Sequence, residues 1–129
     1  MAVHYTIDSA QRTISITGSH DLNRTMLLDA FRQILVDPAF DPAFDTVADF
    51  SNVTYVNLDV VDLQMLVETL SAEDTRTGRF AIITGEDQGR YSLGVYFKAL
   101  SESVSETRQR IFRTAAEAQN WLTNIAAAS

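Results

Sequence analysis

The stretch from Thr46 to Leu70 constrains the fold most strongly, because its apolar pattern changes from that of a strand to that of a helix. Thr46–Phe50 is predicted to be a buried strand and Ser51–Asn57 a short polar loop. From about Asp59 onwards, apolar residues cover more than half of a helix circumference, so we expect a well-buried helix. These apolar residues are Val60, Val61, Leu63, Leu66, Val67 and Leu70.

The N-terminal residues predict a β-hairpin followed by a helix. Val3–Asp8 and Arg12–Thr17 alternate apolar and polar residues across a turn-sized gap, and the second run is expected to break at Gly18 and Ser19. Next, apolar residues recur at three- and four-residue spacing over Leu22–Val36, which predicts an amphipathic helix.

Turn-forming residues bound this helix on both sides. Asp21 is its expected N-cap, and Pro38 stops it. The tetrapeptide DPAF then occurs twice in succession over Asp37–Phe44. We expect a connector whose two phenylalanines pin it to the core.

The C-terminal half predicts two more strand–helix units. Arg79–Thr84 is an apolar run, expected of a central strand covered on both faces, and Gln88–Leu100 reads as a helix. Arg108–Arg113 is rich in arginine, which favours an edge strand. Thr114–Glu117 is a capping box that opens a last helix. The apolar face of that helix comprises Ala118, Trp121, Leu122 and Ile125.

The predicted order is therefore ββαβαβαβα. An initial hairpin followed by alternating helices and strands implies an α/β fold with a mixed sheet of about five strands and four helices. A length of 129 residues fits a single domain spanning residues 1–129.

Composition narrows the classes of function. Without cysteine there is no disulfide, thiolate nucleophile or Cys-bound zinc, and a reducing cytoplasm fits. No apolar run approaches the ~20 residues that a membrane span needs, and the first residues, MAVHYTID, lack the features of a signal peptide. The net charge of −7 disfavours nucleic acids and anionic membrane surfaces. Residues 1–78 hold four arginines against twelve carboxylates, a net charge of −8.

Motifs for catalysis or cofactor binding are weak. His4 and His20 have no second histidine or cysteine at ligand spacing, so no metal site is predicted. The loop Gly85–Gly89 follows a strand and precedes a helix, but it has two carboxylates and no lysine. We therefore interpret it as a turn in which Asp87 caps the next helix. No phosphate loop or nucleophile motif occurs, so we expect neither a cofactor nor enzyme activity. An enzyme that uses Glu86 and Asp87 is a further, unsupported alternative.

The junction Asn57-Leu58-Asp59 has two compatible interpretations. Asn57 or Asp59 can cap the helix that follows. The exposed start of that helix can also serve as a contact surface.

The segment Val47–Asp59 (VADFSNVTYVNLD) resembles the central motif of STAS domains, the fold of anti-sigma-factor antagonists. In that family a strand ending in Asp-Leu is followed by a short loop and Asp-Ser-Ser-Gly at a helix start. Other features are similar to the SpoIIAA-like branch, also described as STAS/SEC14-like, and together the resemblance covers nearly the whole chain. They are the initial hairpin, Asp37-Pro-Ala-Phe, Asp49-Phe-Ser-Asn-Val, Tyr91–Leu100 and Ile111–Leu122.

The resemblance implies a regulatory, non-enzymatic module of bacterial signalling that lacks the usual phosphorylation switch. The second serine of the motif, phosphorylated in switching STAS domains, corresponds to Asp59, and the serine before it corresponds to Leu58. Asp59 either imitates a phosphorylated state or only caps the helix. We expect the cap, because aspartate is a common N-cap residue.

Two functions are kept at this point. The first is binding of a protein partner through a surface that comprises Ser51, Asn52, Tyr55, Asn57, Leu58 and Asp59. The second is binding or carriage of a small apolar molecule, as the SEC14-like resemblance implies. Large apolar helix residues fit a ligand site or an ordinary core, and they include Met26, Phe31, Met65, Phe97 and Trp121. A homodimer is compatible with either function.

Overall fold

The computed structural model describes residues 3–73, 78–102 and 109–128, and the element order is the predicted one. The strands are β1 (Val3–Asp8), β2 (Thr13–Asn23), β3 (Asp45–Asn57), β4 (Phe80–Ile83) and β5 (Gln109–Phe112). The helices are α1 (Arg24–Val36), α2 (Val60–Glu73), α3 (Gln88–Glu102) and α4 (Ala115–Ala128).

The strands form one mixed sheet in the order β1-β2-β3-β4-β5. The β1–β2 hairpin is antiparallel, and the other three strand pairs are parallel. All four residues of β4 are buried, and β5 lies at the sheet edge. The hairpin, the buried interior position of β4 between β3 and β5, and the edge position of β5 are thereby confirmed.

Helices cover both faces of the sheet. On one face, α1, α2 and α3 enclose the larger core, in which Ile14, Ala48 and Ile82 come from neighbouring strands. On the other face, Ala118 and Leu122 of α4 pack against β4. The predicted face of α4 is confirmed for these two residues and for the partly buried Trp121, whereas the side chain of Ile125 lies outside the described residues.

The duplicated DPAF segment closes over the end of the core as predicted. The Phe44 side chain is buried, and Phe40 packs against the same core. The chain is also tied to the segment before β4, because the Gly78 N–H donates a hydrogen bond to the Pro42 carbonyl at 3.1 Å. A Cβ atom on Gly78 would lie 2.1 Å from the Phe44 carbonyl oxygen, so this approach requires glycine.

The prediction of a loop at Ser51–Asn57 is wrong, because β3 continues as a strand to Asn57. It does so by pairing with β2, which runs on to Asn23 instead of breaking at Gly18 and Ser19. A Cβ atom on Gly18 would lie 2.7 Å from the Phe50 ring, so Gly18 keeps the strand in place where a larger residue would clash. Backbone hydrogen bonding thus overrides the polar composition of this stretch.

The longer β2 also displaces the start of α1. Asp21 lies within the strand, and the N-cap is Asn23, whose Oδ1 accepts the Met26 N–H at 2.9 Å. The predicted cap at Asp21 is therefore wrong, and α1 begins at Arg24 rather than Leu22.

The prediction that α2 is buried over most of its circumference is wrong for its first turn. Leu63, Leu66 and Val67 are buried, but Val60 and Val61 are exposed. The reason is geometric: α2 packs between α1 and α3, so only one side of it faces the core. The side chain of Leu70 lies outside the described residues.

Candidate functional site

The candidate site lies at the carboxyl ends of the parallel strands, where β2 and β3 project past β4. Pairing of β3 with β4 ends at Asp49 and Ile83, whereas pairing of β2 with β3 continues to Asn23 and Asn57. Residues 19–23 and 52–57 therefore form a two-stranded segment, named here the β2–β3 extension. Both strands of the extension lead into the starts of helices, since α1 begins at Arg24 and α2 at Val60.

Arg90 bonds to the backbone on the side of the extension where β3 has no neighbouring strand. Its Nε donates to the Thr84 carbonyl at 2.8 Å, and its Nη1 donates to the Val53 carbonyl at 2.5 Å. These charge-assisted hydrogen bonds replace strand pairing beyond the end of β4. The turn before α3 is as predicted: Asp87 caps the helix by accepting the Arg90 N–H at 2.9 Å.

The start of α2 is fixed by a reciprocal cap. The Asp59 carboxylate accepts the Asp62 N–H at 2.8 Å, and the Asp62 carboxylate accepts the Asp59 N–H at 3.1 Å. This is the capping-box arrangement, with aspartate in both positions. Asp62 also pairs with Arg24 of α1 at 3.3 Å, so the first turns of the two helices are linked. The prediction that Asp59 caps the helix is confirmed.

All six predicted site residues lie in this region, but their side chains differ in how far they are exposed. Four are exposed, namely Asn52, Tyr55, Asn57 and Asp59. Ser51 is half-buried, and its hydroxyl donates to Asp49 Oδ1 at 2.6 Å. Leu58 is also half-buried and lines a cavity under α2. The outward-facing part of the site is therefore smaller than predicted.

Val60 and Val61, which sequence reasoning placed in the core, are exposed instead, and so is Met65, for which a core position was one of two interpretations. The exposed fractions are 61% for Tyr55, 49% for Val60, 58% for Val61 and 43% for Met65. The three of these residues that lie on α2, namely Val60, Val61 and Met65, are named here the apolar surface cluster. Tyr55 lies on β3 and points to the opposite face of the sheet from Val56, which lines the cavity under α2. One sequence signal of this exposure was present: apolar residues occur all round α2, so more of them exist than one buried face can use.

Exposed carboxylates lie at the same end of the sheet as the apolar surface cluster. Asp21 of β2 is the in-register neighbour of Tyr55 on β3, and both side chains are exposed. Asp59 directly precedes Val60 and is exposed. Glu86 and Asp87, which follow β4 at the same end of the sheet, are exposed as well.

A cavity of about 80 Å³ lies on the opposite side of α2, between this helix and the sheet. Among its lining residues only Thr84 and Arg90 carry polar groups, and both bond to backbone carbonyls. Phe31 and Phe97 line the cavity, whereas Trp121 packs on Phe112 at the other face of the sheet. The apolar walls come from α1, α2, α3 and the sheet, and they include Leu27, Phe50, Leu63, Leu66, Ile82 and Leu93.

Among the titratable groups of the described residues, the pKa values of Tyr5 and Asp37 are shifted, and this pair lies at the other end of α1 from the β2–β3 extension. The Tyr5 hydroxyl donates to Asp37 Oδ2 at 2.8 Å. Hydrogen bonds from the Ala39 N–H and from Tyr5 lower the pKa of Asp37, and the bond to Asp37 raises the pKa of Tyr5. In residues 3–73, 78–102 and 109–128, no three His, Cys, Asp or Glu side chains gather as metal ligands. Over the same ranges no helix is both long and apolar enough to span a membrane.

The fold and site thus define an α/β protein with a five-stranded mixed sheet and four helices. Its backbone is similar to the crystal structure of an uncharacterised protein of the DUF3478 family from Shewanella loihica PV-4, which has a SpoIIAA-like fold. The TM-score is 0.59, with 13% sequence identity over 94% of each chain. This similarity establishes the SpoIIAA-like fold expected from the sequence. No family model and no curated protein matches the sequence.

Proposed function

We propose that this protein is a non-enzymatic, STAS-like interaction module that binds a protein partner at the β2–β3 extension and the start of α2. The apolar surface cluster is the observation that carries this proposal. Apolar surface exposed on one part of a helix is costly in a soluble protein and is typical of an interaction site. Signalling in a bacterial cytoplasm is the setting that the family resemblance implies.

Side-chain contacts fix the position of the start of α2. The reciprocal cap of Asp59 and Asp62 fixes the first turn of α2, and the Arg24–Asp62 pair links it to α1. Val61 and Met65 lie four residues apart, on one side of α2. A rigid surface loses little conformational entropy on binding.

The proposed module has no phosphorylation switch of its own. Asp59 stands where the STAS motif has its phosphorylatable serine, and its carboxylate is engaged as a helix cap. Binding is therefore not expected to depend on phosphorylation at this position.

Site-specific photo-crosslinking in an extract of the protein's own host tests the proposal. A photoreactive phenylalanine analogue in place of Met65, four residues from Val61 on α2, should give one defined cross-linked partner. Val61→Arg should reduce that product at least about tenfold, since it places a charge in the contact. Val36→Arg is the matched control, because Val36 is 81% exposed at the far end of α1. Equal cross-linking of the Val61→Arg protein would reject the surface.

A second candidate function is binding of a small apolar molecule, favoured by the cavity under α2. Its volume of about 80 Å³ is below the roughly 300–1,000 Å³ of typical ligand pockets. Uptake of a larger molecule therefore requires α2 to move outward. An apolar cavity of this kind stays dry and accepts small apolar guests.

Organic extraction of the purified protein followed by mass spectrometry tests the second candidate. Leu63→Phe, which fills the cavity, should abolish any stoichiometric apolar compound. Met65→Phe is the control, because it changes the outer side of the same helix. Absence of a compound from the unmodified protein would reject a carrier function.

A further inference from the structure

We infer that two copies of this chain form a dimer by antiparallel pairing of their β1 strands, with the two-fold axis at Thr6. The two sheets then join edge to edge into one continuous sheet. This inference goes beyond the proposed function and uses a different part of the molecule, since β1 contacts α1, which in turn contacts α2. It follows from the unprotected edge that β1 presents and from the self-complementary order of its residues.

β1 is the less protected of the two edge strands of the sheet. It pairs with β2 alone among the described strands, through six consecutive residues. Its sequence, VHYTID, is rich in strand-forming residues and contains no proline, glycine, lysine or arginine. β5, at the opposite edge, has only four residues, and Arg110 is one of them. Short length and positive charge prevent edge strands from pairing further, so β5 has this protection and β1 lacks it.

The residues of β1 are complementary to those of a second, antiparallel β1. Directly opposite residues must point to the same face of the sheet, so the two-fold axis has to pass through a residue. With the axis at Thr6, Tyr5 lies opposite Ile7 of the second copy, and His4 lies opposite Asp8. An apolar pair therefore forms on one face and a histidine–carboxylate pair on the other, each of them twice. Moving the axis to Tyr5 or Ile7 separates His4 from Asp8.

The exposure of the β1 side chains fits this register. Tyr5 and Ile7 are half-buried at the margin of the larger core, so pairing extends that core into the second copy. His4, Thr6 and Asp8 are exposed on the other face, where the two threonines meet at the axis. Asp8 Oδ1 accepts the Gln11 N–H at 3.0 Å, so Oδ2 is the oxygen that receives the histidine.

A groove beside β1 leaves room for the second copy. It has a volume of about 210 Å³ and lies between β1 and α1. Its walls include Val3 and Tyr5 of β1 and Met26, Asp29, Ala30 and Gln33 of α1. The outer side of β1 is therefore not filled by α1 on this face. Ile7 of the second copy, opposite Tyr5, enters beside this groove.

The charge of this edge permits the contact, although the whole chain has a net charge of −7. β1 and α1 together carry two arginines and two aspartates, which gives a net charge of zero when His4 is neutral. These residues are Arg24, Arg32, Asp8 and Asp29. Repulsion between more distant carboxylates is screened by salt at physiological ionic strength.

Sedimentation analysis of the complete protein tests for the dimer. Thr6→Lys places two like charges at the axis and should raise the dimer dissociation constant at least about tenfold. Thr17→Lys is the matched control, because Thr17 is an exposed threonine on the same face, one strand further in. It should change the dissociation constant less than about twofold. A protein that remains monomeric at about 100 μM, or equal effects of the two substitutions, would overturn the inference.

Disulfide trapping tests the register, because the chain has no cysteine of its own. Thr6→Cys should give a covalent dimer on mild oxidation, since directly opposite residues have Cα atoms about 4.5–5.5 Å apart. His4→Cys and Asp8→Cys should each remain monomeric alone and cross-link when the two proteins are mixed. Thr17→Cys should not cross-link and measures random collision. If His4→Cys alone cross-links as readily as Thr6→Cys, the axis at Thr6 is refuted.

Different substitutions separate failure of this inference from failure of the proposed function. If Val61→Arg dissociates the dimer and Thr6→Lys does not, the second copy sits on the apolar surface cluster and the inference is overturned. If Thr6→Lys dissociates the dimer, the inference stands, whether or not Val61→Arg prevents cross-linking to a partner in the host extract.

Discussion

Asp59 and Asp62 cap each other at the start of α2, each carboxylate accepting the backbone N–H of the other residue, at 2.8 and 3.1 Å. Neither bond requires a partner molecule, so the carboxylate at position 59 has a complete structural role within this chain. The cap orients the helix turn that presents Val60 and Val61.

Replacing the capping side chain tests this role. Asp59→Ala should lower the free energy of unfolding by about 1 kcal/mol, because the Asp62 N–H loses its acceptor. Asp59→Ser should remain close to the unmodified protein, since serine caps as well as aspartate. Urea unfolding followed by circular dichroism measures both. A loss as large for serine as for alanine would mean that the charge of Asp59, not its cap, stabilises the fold.

A second prediction concerns the ion pair between the starts of β3 and β4. Asp45 accepts the Arg79 N–H at 2.9 Å and its Nη2 at 3.0 Å, with both side chains mostly shielded from solvent. Asp45→Ala leaves both donors unpaired and should cost about 1–3 kcal/mol of unfolding free energy.

The more exposed pair at the helix starts gives the comparison. Arg24 meets Asp62 through one contact at 3.3 Å, so Arg24→Ala should cost less than about 1 kcal/mol. Adding 1 M salt should reduce that smaller effect further. If the two substitutions cost the same in urea unfolding, shielding is not what makes the Asp45–Arg79 pair important.

The Tyr5–Asp37 hydrogen bond predicts a dependence of stability on pH. The pKa of Asp37 is lowered in the folded state, first by the Ala39 N–H and then by Tyr5. The folded state therefore binds the proton less readily than the unfolded chain. The stabilisation is present above the unfolded pKa of about 3.9 and is lost as the pH falls through the lower folded value.

Carbon-detected NMR titration of the Asp37 carboxyl group measures this effect. Tyr5→Phe should raise the pKa of Asp37 part of the way to its ordinary value, because the Ala39 N–H still donates. Tyr91→Phe, on α3, should leave it unchanged. At high pH the sign is opposite: the raised pKa of Tyr5 gives a stabilisation that is lost as the pH rises above 10.

Two glycines should respond very differently to alanine. At Gly78 a Cβ atom would lie 2.1 Å from the Phe44 carbonyl oxygen, so Gly78→Ala must displace backbone and should cost about 1–3 kcal/mol. At Gly89, in the first turn of α3, the nearest atom is Asp87 Oδ1 at 3.1 Å. Gly89→Ala should be neutral or stabilise the protein by up to about 1 kcal/mol. Thermal unfolding of the two proteins measures the difference, and equal midpoints would contradict it.

Periodicity alone predicted most of the fold. Alternation over Val3–Asp8 identified the hairpin, and the apolar run before Gly85 identified the central strand. Thr114 also caps the last helix as predicted, with the Glu117 N–H donating to the threonine hydroxyl at 3.2 Å, whereas the Glu117 carboxylate accepts that hydroxyl at 3.0 Å rather than the Thr114 N–H of a full capping box. These signals are local, so a single sequence contains them.

The errors all come from contacts between distant parts of the chain. Residues 52–57 form a strand because they pair with β2, more than thirty residues earlier in the chain. No local sequence pattern predicts that pairing. Recognition of Asn23 as the cap depended on the same pairing. The outward direction of Val60 and Val61 depends on how α2 sits between α1 and α3, which apolar content cannot reveal.

The β2–β3 extension has a final consequence for the kinetics of local opening. Its N–H groups are held only by pairing between two strands, since Arg90 bonds to the Val53 carbonyl, whereas the central strands of the sheet have a neighbouring strand on each side. Local fluctuations should therefore expose the extension to deuterium sooner than β4. A molecule bound to the extension should slow hydrogen exchange at the amides of residues 52–57. The exchange rate of these amides therefore reports how much of the protein has a partner bound.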